Sequence, residues 1–172
     1  DDIYVSGNLG DSYLGLLILK KKIKLNNSLN KYFTNQYYMP NIKIKLADQL
    51  KKFANSSIDI SDGLLTDLEK LINNQKLSYE LNLKDIPISK NLRKVLKIKK
   101  LSKVDFISKG DDYQILLTAP KSKSGIINRI STKLGVKITK IGKIQNKSHK
   151  SSIFDTNNTV ITVKNKGYLH KF

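Results

Sequence analysis

The densest polar cluster in the sequence is Asp59-Ile60-Ser61-Asp62-Gly63, where a short strand-like run gives way to a leucine-rich helical pattern. Two carboxylates three positions apart suit a hard divalent cation, because Mg2+ takes one or two carboxylates and completes its octahedron with water and substrate phosphates. Ligands bind at the carboxyl ends of strands in open α/β sheets, and amides left free at a helix start favour phosphate. Asp59 and Asp62 are therefore candidate metal ligands, and Ser61 a candidate donor to a nucleotide phosphate. A plainer role for the same residues is helix capping, which needs only Ser61 or Asp62 and is worth about 1 kcal/mol.

Gly110-Asp111-Asp112-Tyr113 is a second acidic turn, placed just before an apolar strand; its alternative reading is an ordinary Asx-type turn. Gly7-Asn8-Leu9-Gly10-Asp11-Ser12 would let bare backbone approach a phosphate, but it lacks the Gly-Lys-Ser/Thr ending of a P-loop. The chain closes on Gly167-Tyr168-Leu169-His170-Lys171-Phe172, read by itself as a segment anchored on the core. Only His149 and His170 carry imidazoles, which argues against a histidine metal site, and the lack of cysteine excludes disulfides, thiolate metal sites and a thiol nucleophile.

Strand and helix signals alternate around these turns. Ile3–Val5 reads as a strand, followed by a helix over about Tyr13–Lys21, and Lys22–Tyr38 as a mobile, partly helical connection. After Pro40, the apolar residues Ile44, Leu46, Ala47, Leu50 and Phe53 predict one amphipathic helix. Ser57–Ile60 reads as a strand, Leu64, Leu65, Leu68, Leu71 and Ile72 as the buried face of a helix, and Leu77, Tyr79, Leu81 and Leu83 as an alternating strand. A helix follows over Lys90–Ile98, then a strand over Tyr113–Ala119, a helix over Ile126–Leu134, a strand over Val136–Ile144 broken at Gly142, and a terminal hairpin turning at Asn157-Asn158. The expected fold class is α/β (α+β), one layered domain with a mixed sheet covered by helices.

The 172 residues carry a formal net charge of +18, with 39% hydrophobic and 27% charged residues, enough apolar material for a core. The longest apolar run, Tyr13–Leu19, is far short of the roughly 18–20 residues that span a bilayer, so no membrane partner is expected. The positive charge invites a nucleic-acid reading. Against it, thirty of the 32 basic residues are dispersed lysines, and only Arg93 and Arg129 offer the bidentate fork that base and phosphate readout favours. Together with sixteen asparagines, this composition matches drift toward AT-rich codons. What remains is a field that draws polyanions such as nucleotides. A reducing, cytoplasmic setting fits the composition, and the opening Asp1-Asp2-Ile3-Tyr4-Val5 reads as the middle of a longer protein lacking its N-terminal part here.

Taken in order, these segments resemble the C-terminal half of the thiamine-monophosphate kinases, within the aminoimidazole ribonucleotide synthetase superfamily. Asp2–Ser12 is similar to D-x-I-Y-V-T-G-x-L-G-D-S, Tyr38-Met39-Pro40 to Y-x-x-P, Asp59–Leu64 to D-I-S-D-G-L, Gly110–Leu116 to G-E-D-Y-E-L, Ile141-Gly142 to V-I-G, and the last six residues to G-Y-x-H-F. The resemblance implies a three-layer α/β/α domain over residues 1–172, belonging to a homodimeric enzyme whose N-terminal domain carries most of the metal aspartates. It further implies ATP-dependent phosphorylation of thiamine monophosphate to thiamine diphosphate with several Mg2+ ions. On this mapping Asp59 and Asp62 bind Mg2+, Ser61 contacts ATP, and Asp111 and Tyr168 contact thiamine monophosphate. The chain departs from the family at Asp111, one methylene shorter than the usual glutamate, at Lys43, which stands for an arginine, and at Lys171, an insertion. The competing assignments are an aminoimidazole ribonucleotide or selenophosphate synthetase relative and, more distantly, a basic nucleic-acid-binding module.

Overall fold

A computed structural model describes residues 1–72, 76–146, 148, 150–163 and 167. Six strands form a single sheet: β1 (Asp2–Ser6), β2 (Ser56–Asp59), β3 (Leu77–Asn82), β4 (Ile115–Ala119), β5 (Ile138–Asn146) and β6 (Ser152–Phe154), in the order β2-β4-β1-β5-β3-β6. All neighbours are antiparallel except β3 and β6, which makes the sheet mixed. The helices are α1 (Asp11–Leu19), α2 (Asn27–Tyr38), α3 (Ile44–Ala47), α4 (Leu64–Leu71), α5 (Lys90–Lys99), α6 (Lys103–Ile107) and α7 (Ser124–Leu134).

Alternation along the central strand β1 divides the core. Ile3 and Val5 point to one face, where they meet Leu14 of α1, Phe33 of α2, Leu64 and Leu68 of α4, Leu92 of α5 and Phe106 of α6. Tyr4 points to the other, where it joins Leu46 of α3, Phe53, Leu117 and Ile127 of α7. Helices thus cover both faces of the sheet, the three-layer α/β/α arrangement expected, with the thicker layer on the Ile3/Val5 side. Each fully buried Leu, Ile or Phe in these clusters contributes about 1.5–3 kcal/mol of hydrophobic free energy.

Several elements differ from their sequence reading. Residues 27–38 form the complete helix α2 rather than a mobile connection: the Asn26 side chain accepts from the Leu29 amide at 2.9 Å, and Phe33 anchors the helix. Phe33 is its one fully buried residue, so the periodicity was faint. The helix expected over 44–53 is split into α3 and a 3-10 turn at Leu50–Lys52; Leu46 and Phe53 are buried, but Ile44 is exposed. Strand β5 continues through Gly142, but its pairing with β1 is irregular there: Ile3 faces Gly142 and Tyr4 faces Lys140, which leaves Ile141 as an extra residue on β5 beside the expected interruption. The terminal hairpin is present but short: Phe154 and Val160 form an antiparallel bridge, flanked by hydrogen bonds from the Asp155 amide to the Thr159 carbonyl (3.0 Å) and from the Ile161 amide to the Ile153 carbonyl (2.8 Å), while β6 pairs in parallel with β3. No helix among the described residues is long and apolar enough to cross a membrane.

Candidate functional site

The chain leaves β2 at Asp59 and enters α4 at Leu64. Gly63 has φ +121°, and a Cβ there would stand 2.3 Å from the Ser108 carbonyl oxygen; a Cβ on Gly110 would stand 1.7 Å from the Ser61 carbonyl oxygen. These two glycines let the turn at 59–63 lie directly against the turn at 108–113. Two backbone hydrogen bonds fasten the pair, from the Asp111 amide to the Ser61 carbonyl (3.0 Å) and from the Tyr113 amide to the Ile60 carbonyl (2.9 Å).

Capping of α4 falls to neither Ser61 nor Asp62. Asp67, one turn into the helix and fully buried, sends Oδ2 back to accept from the amides of Ser61 (3.0 Å), Asp62 (2.9 Å) and Gly63 (3.1 Å). Those amides, expected to be open to phosphate, are thereby taken. Asp62 lines a cleft and receives a hydrogen bond from Lys70, which also donates to Asp67 Oδ1 at 2.9 Å. Sequence reasoning noted Asp67-Leu68 only as a continuation of the D-I-S-D-G-L segment, gave Asp67 no role and missed Lys70; the signal was their spacing, which places a carboxylate within reach of the helix start and an ammonium one turn further along.

The cleft measures about 590 Å3 and is lined by Ser61, Asp62, Lys109, Gly110, Asp111 and Tyr113 from the two turns, with Tyr13, Leu16 and Lys20 from α1. Three of the four described candidate residues therefore share one wall. Burial, and then the Asp62 charge, raise the Asp111 carboxyl above its ordinary value, with Lys20 acting in the opposite direction. Asp59 stands at the exposed end of β2, outside the cleft lining. Its charge nonetheless reaches the Tyr113 phenol, which burial raises first and the carboxylates of Asp111, Asp59 and Asp62 raise further. Tyr168 lies outside the described residues, as do His149, His170 and Phe172. Gly167 is described, and a Cβ there would meet Thr66 Oγ1 at 2.0 Å and the Asp62 carbonyl oxygen at 2.7 Å, so the residue before Tyr168 packs against the start of α4.

Asp112 holds the second turn in place. It is buried, and its Oδ2 accepts from the Gly10 amide at 2.8 Å; the Ser12 amide also donates to its carboxylate. The side chain from the second turn thus caps α1, whose own N-cap, Gly10, has none. Asp111 and Tyr113 on either side have φ of +68° and +49°, a conformation that costs a non-glycine residue roughly 1 kcal/mol or more and persists where surrounding contacts enforce it. The Gly7–Ser12 segment is correspondingly no open phosphate cradle. The Gly7 amide donates to Lys137, that of Leu9 to Pro87 and that of Gly10 to Asp112, beside a small polar recess of about 130 Å3 that Asp11, Lys43 and Gln114 also line.

The acids suit a shared rather than a caged cation. Among the described residues no group of three or more His, Cys, Asp or Glu side chains could hold a metal ion by itself. Asp62 lines the cleft while Asp59 stands outside its lining, a sparse donor set of the kind Mg2+ accepts when it takes one or two carboxylates and completes its shell with ligand phosphates and water.

No protein-family profile matches the chain. It is 33% identical over 175 residues to the thiamine-monophosphate kinase of Buchnera aphidicola subsp. Acyrthosiphon pisum, covering 99% of this chain and 52% of that protein. It is 29% identical over 171 residues to that of Escherichia coli K12, with the same coverages. The chain spans about half the length of the curated relatives it matches. Among solved structures, the thiamine-monophosphate kinase of Stenotrophomonas maltophilia K279a superposes with a TM-score of 0.78 at 25% identity, over 91% of this chain and 50% of that one. AaThiL complexed with AMPPCP and TMP superposes with a TM-score of 0.76 at 24% identity, over 98% and 51%, and shares the fold. So does E. coli HypE, a hydrogenase maturation protein, with a TM-score of 0.70 at 15% identity over 96% and 49%.

Proposed function

This chain belongs to the thiamine-monophosphate kinase family, spanning about half its members' length, and from that premise we propose that it is the C-terminal domain of a kinase that phosphorylates thiamine monophosphate to thiamine diphosphate with ATP. The observation that carries this reading is the glycine-fastened contact between the turn bearing Ser61 and Asp62 and the turn bearing Asp111, which puts all three on one cleft wall. The neighbour AaThiL, complexed with AMPPCP and TMP, has the same fold.

Phosphoryl transfer asks a protein for positioning and charge neutralisation rather than covalent chemistry. In this reading Asp59 and Asp62 would hold Mg2+, and the ion would supply charge neutralisation between two anionic substrates and the transferring phosphoryl group. Ser61 donates to ATP, and Asp111 contacts thiamine monophosphate. Tyr168 contacts the same substrate in this reading, as the terminal motif of the family implies. Lys70 keeps the Asp62 carboxylate oriented until a stronger cation competes for it. The acceptor phosphate, with a second pKa of about 6, is largely dianionic near neutral pH, so attack in line with the leaving nucleotide needs no general base. The remaining metal ligands, a homodimer contact through the other half and a cytoplasmic location belong to the same proposal.

A hybrid in which this chain replaces the matching half of the Buchnera kinase tests it. We expect ATP-dependent formation of thiamine diphosphate, lost by roughly a hundredfold or more on Asp62→Asn, the scale of a lost transition-state electrostatic contact. A folded hybrid equally active with Asp62→Asn would overturn the metal role.

A further inference from the structure

Away from the cleft, and sharing no residue with it, lies an open groove of about 520 Å3. Ile88, Leu96 and Leu101 make its apolar floor, and Lys84, Arg93, Lys97 and Lys103 its rim. Arg93, Leu96 and Lys97 fall on one face of α5 by their spacing, so the helix itself presents two cations above an apolar floor. Among the described residues none of the four cations forms an ion pair. Lys103 is the unusual member. Its ammonium is largely withdrawn from water and donates to the Leu83 carbonyl, and burial followed by the Arg93 charge lowers its pKa to about 8, with Asp85 the one carboxylate acting the other way. Folding thus brings a desolvated ammonium toward a guanidinium, an arrangement unfavourable until an anion arrives.

We propose that this groove binds a small organic anion, a phosphate or carboxylate head carried on an apolar body, with the head between Arg93 and Lys103 and the body on Ile88, Leu96 and Leu101. Charge complementarity selects the head and the floor selects the body. Nothing in the kinase reading uses these residues, so the site stands independently of it.

The test titrates the 172-residue chain with octyl phosphate, octanoate and inorganic phosphate, following amide NMR shifts of residues 84–103. Either octyl anion should bind at least roughly tenfold tighter than inorganic phosphate, which two buried methylenes suffice to give. Comparison of the two octyl probes identifies the preferred head, and either preference supports the site. Arg93→Gln, at an exposed position, should weaken binding roughly tenfold, the scale of one charge-assisted hydrogen bond. Lys103→Met should weaken it by a similar factor, while Lys133→Gln, an equal charge change on α7, should leave it within about twofold. Equal losses with all three variants, or inorganic phosphate binding as tightly as the octyl probes, would show generic attraction to a basic protein and overturn the proposal.

Discussion

Asp67 shows how a single carboxylate can prepare a site without entering it. Its Oδ2 gathers three successive amides, which fixes the turn and leaves the Asp62 side chain directed at the cleft. Removing it orphans buried donors, each costing about 1–3 kcal/mol. Asp67→Ala should therefore lower the unfolding free energy by about 3 kcal/mol in urea titrations. Asp59→Asn, at an exposed position, should change it by less than about 0.5 kcal/mol, so any loss of ligand affinity in that variant reports function. The candidate acids were legible as residue types in sequence. What capped the helix was not, because the D-x-x-D pattern satisfies both roles and the cap comes instead from the backward reach of Asp67.

Among the elements, the junction between the two turns and α1 is the critical structure. Gly110→Ala would push a methyl into the Ser61 carbonyl and separate the turns, with an expected loss of about 3 kcal/mol or more. Gly125→Ala, in α7 with nothing within 4 Å, should stabilise by roughly 0.5–1 kcal/mol through helix propensity. Denaturant midpoints of the two variants should therefore move in opposite directions. Asp112 adds a pH signature. Burial raises its carboxyl well above the ordinary value, so the folded state retains a proton that the unfolded chain releases near pH 4. Its contribution is fully present at low pH and falls as pH rises from about 4 through the folded-state value. Relative to wild type, Asp112→Asn should gain stability across that window, measured as the difference in unfolding free energy at pH 4 and pH 7. Strands and amphipathic helices such as β3 and α5 were readable because their alternation or heptad-like spacing is strong. Helix α2 and the joining of the two turns were not, since they depend on Phe33 and on close backbone approaches that leave no periodic trace.

At the scale of the whole molecule, a net charge of +18 sets lysine against lysine over much of the surface. Raising NaCl from about 10 mM to about 300 mM should raise the thermal midpoint as the Debye length shortens, and an uncharged osmolarity control should not reproduce the ionic part of that gain. The same field favours anionic ligands everywhere, so binding as such is a weak test and its location a strong one. The most direct measurement is an amide NMR titration of this chain with thiamine monophosphate, with and without Mg2+. The account predicts shifts concentrated at Ser61, Asp62, Gly110 and Asp111, enlarged by Mg2+ and suppressed by Asp62→Asn. Shifts that spread over the lysine-rich surface, or that persist unchanged in Asp62→Asn, would contradict it.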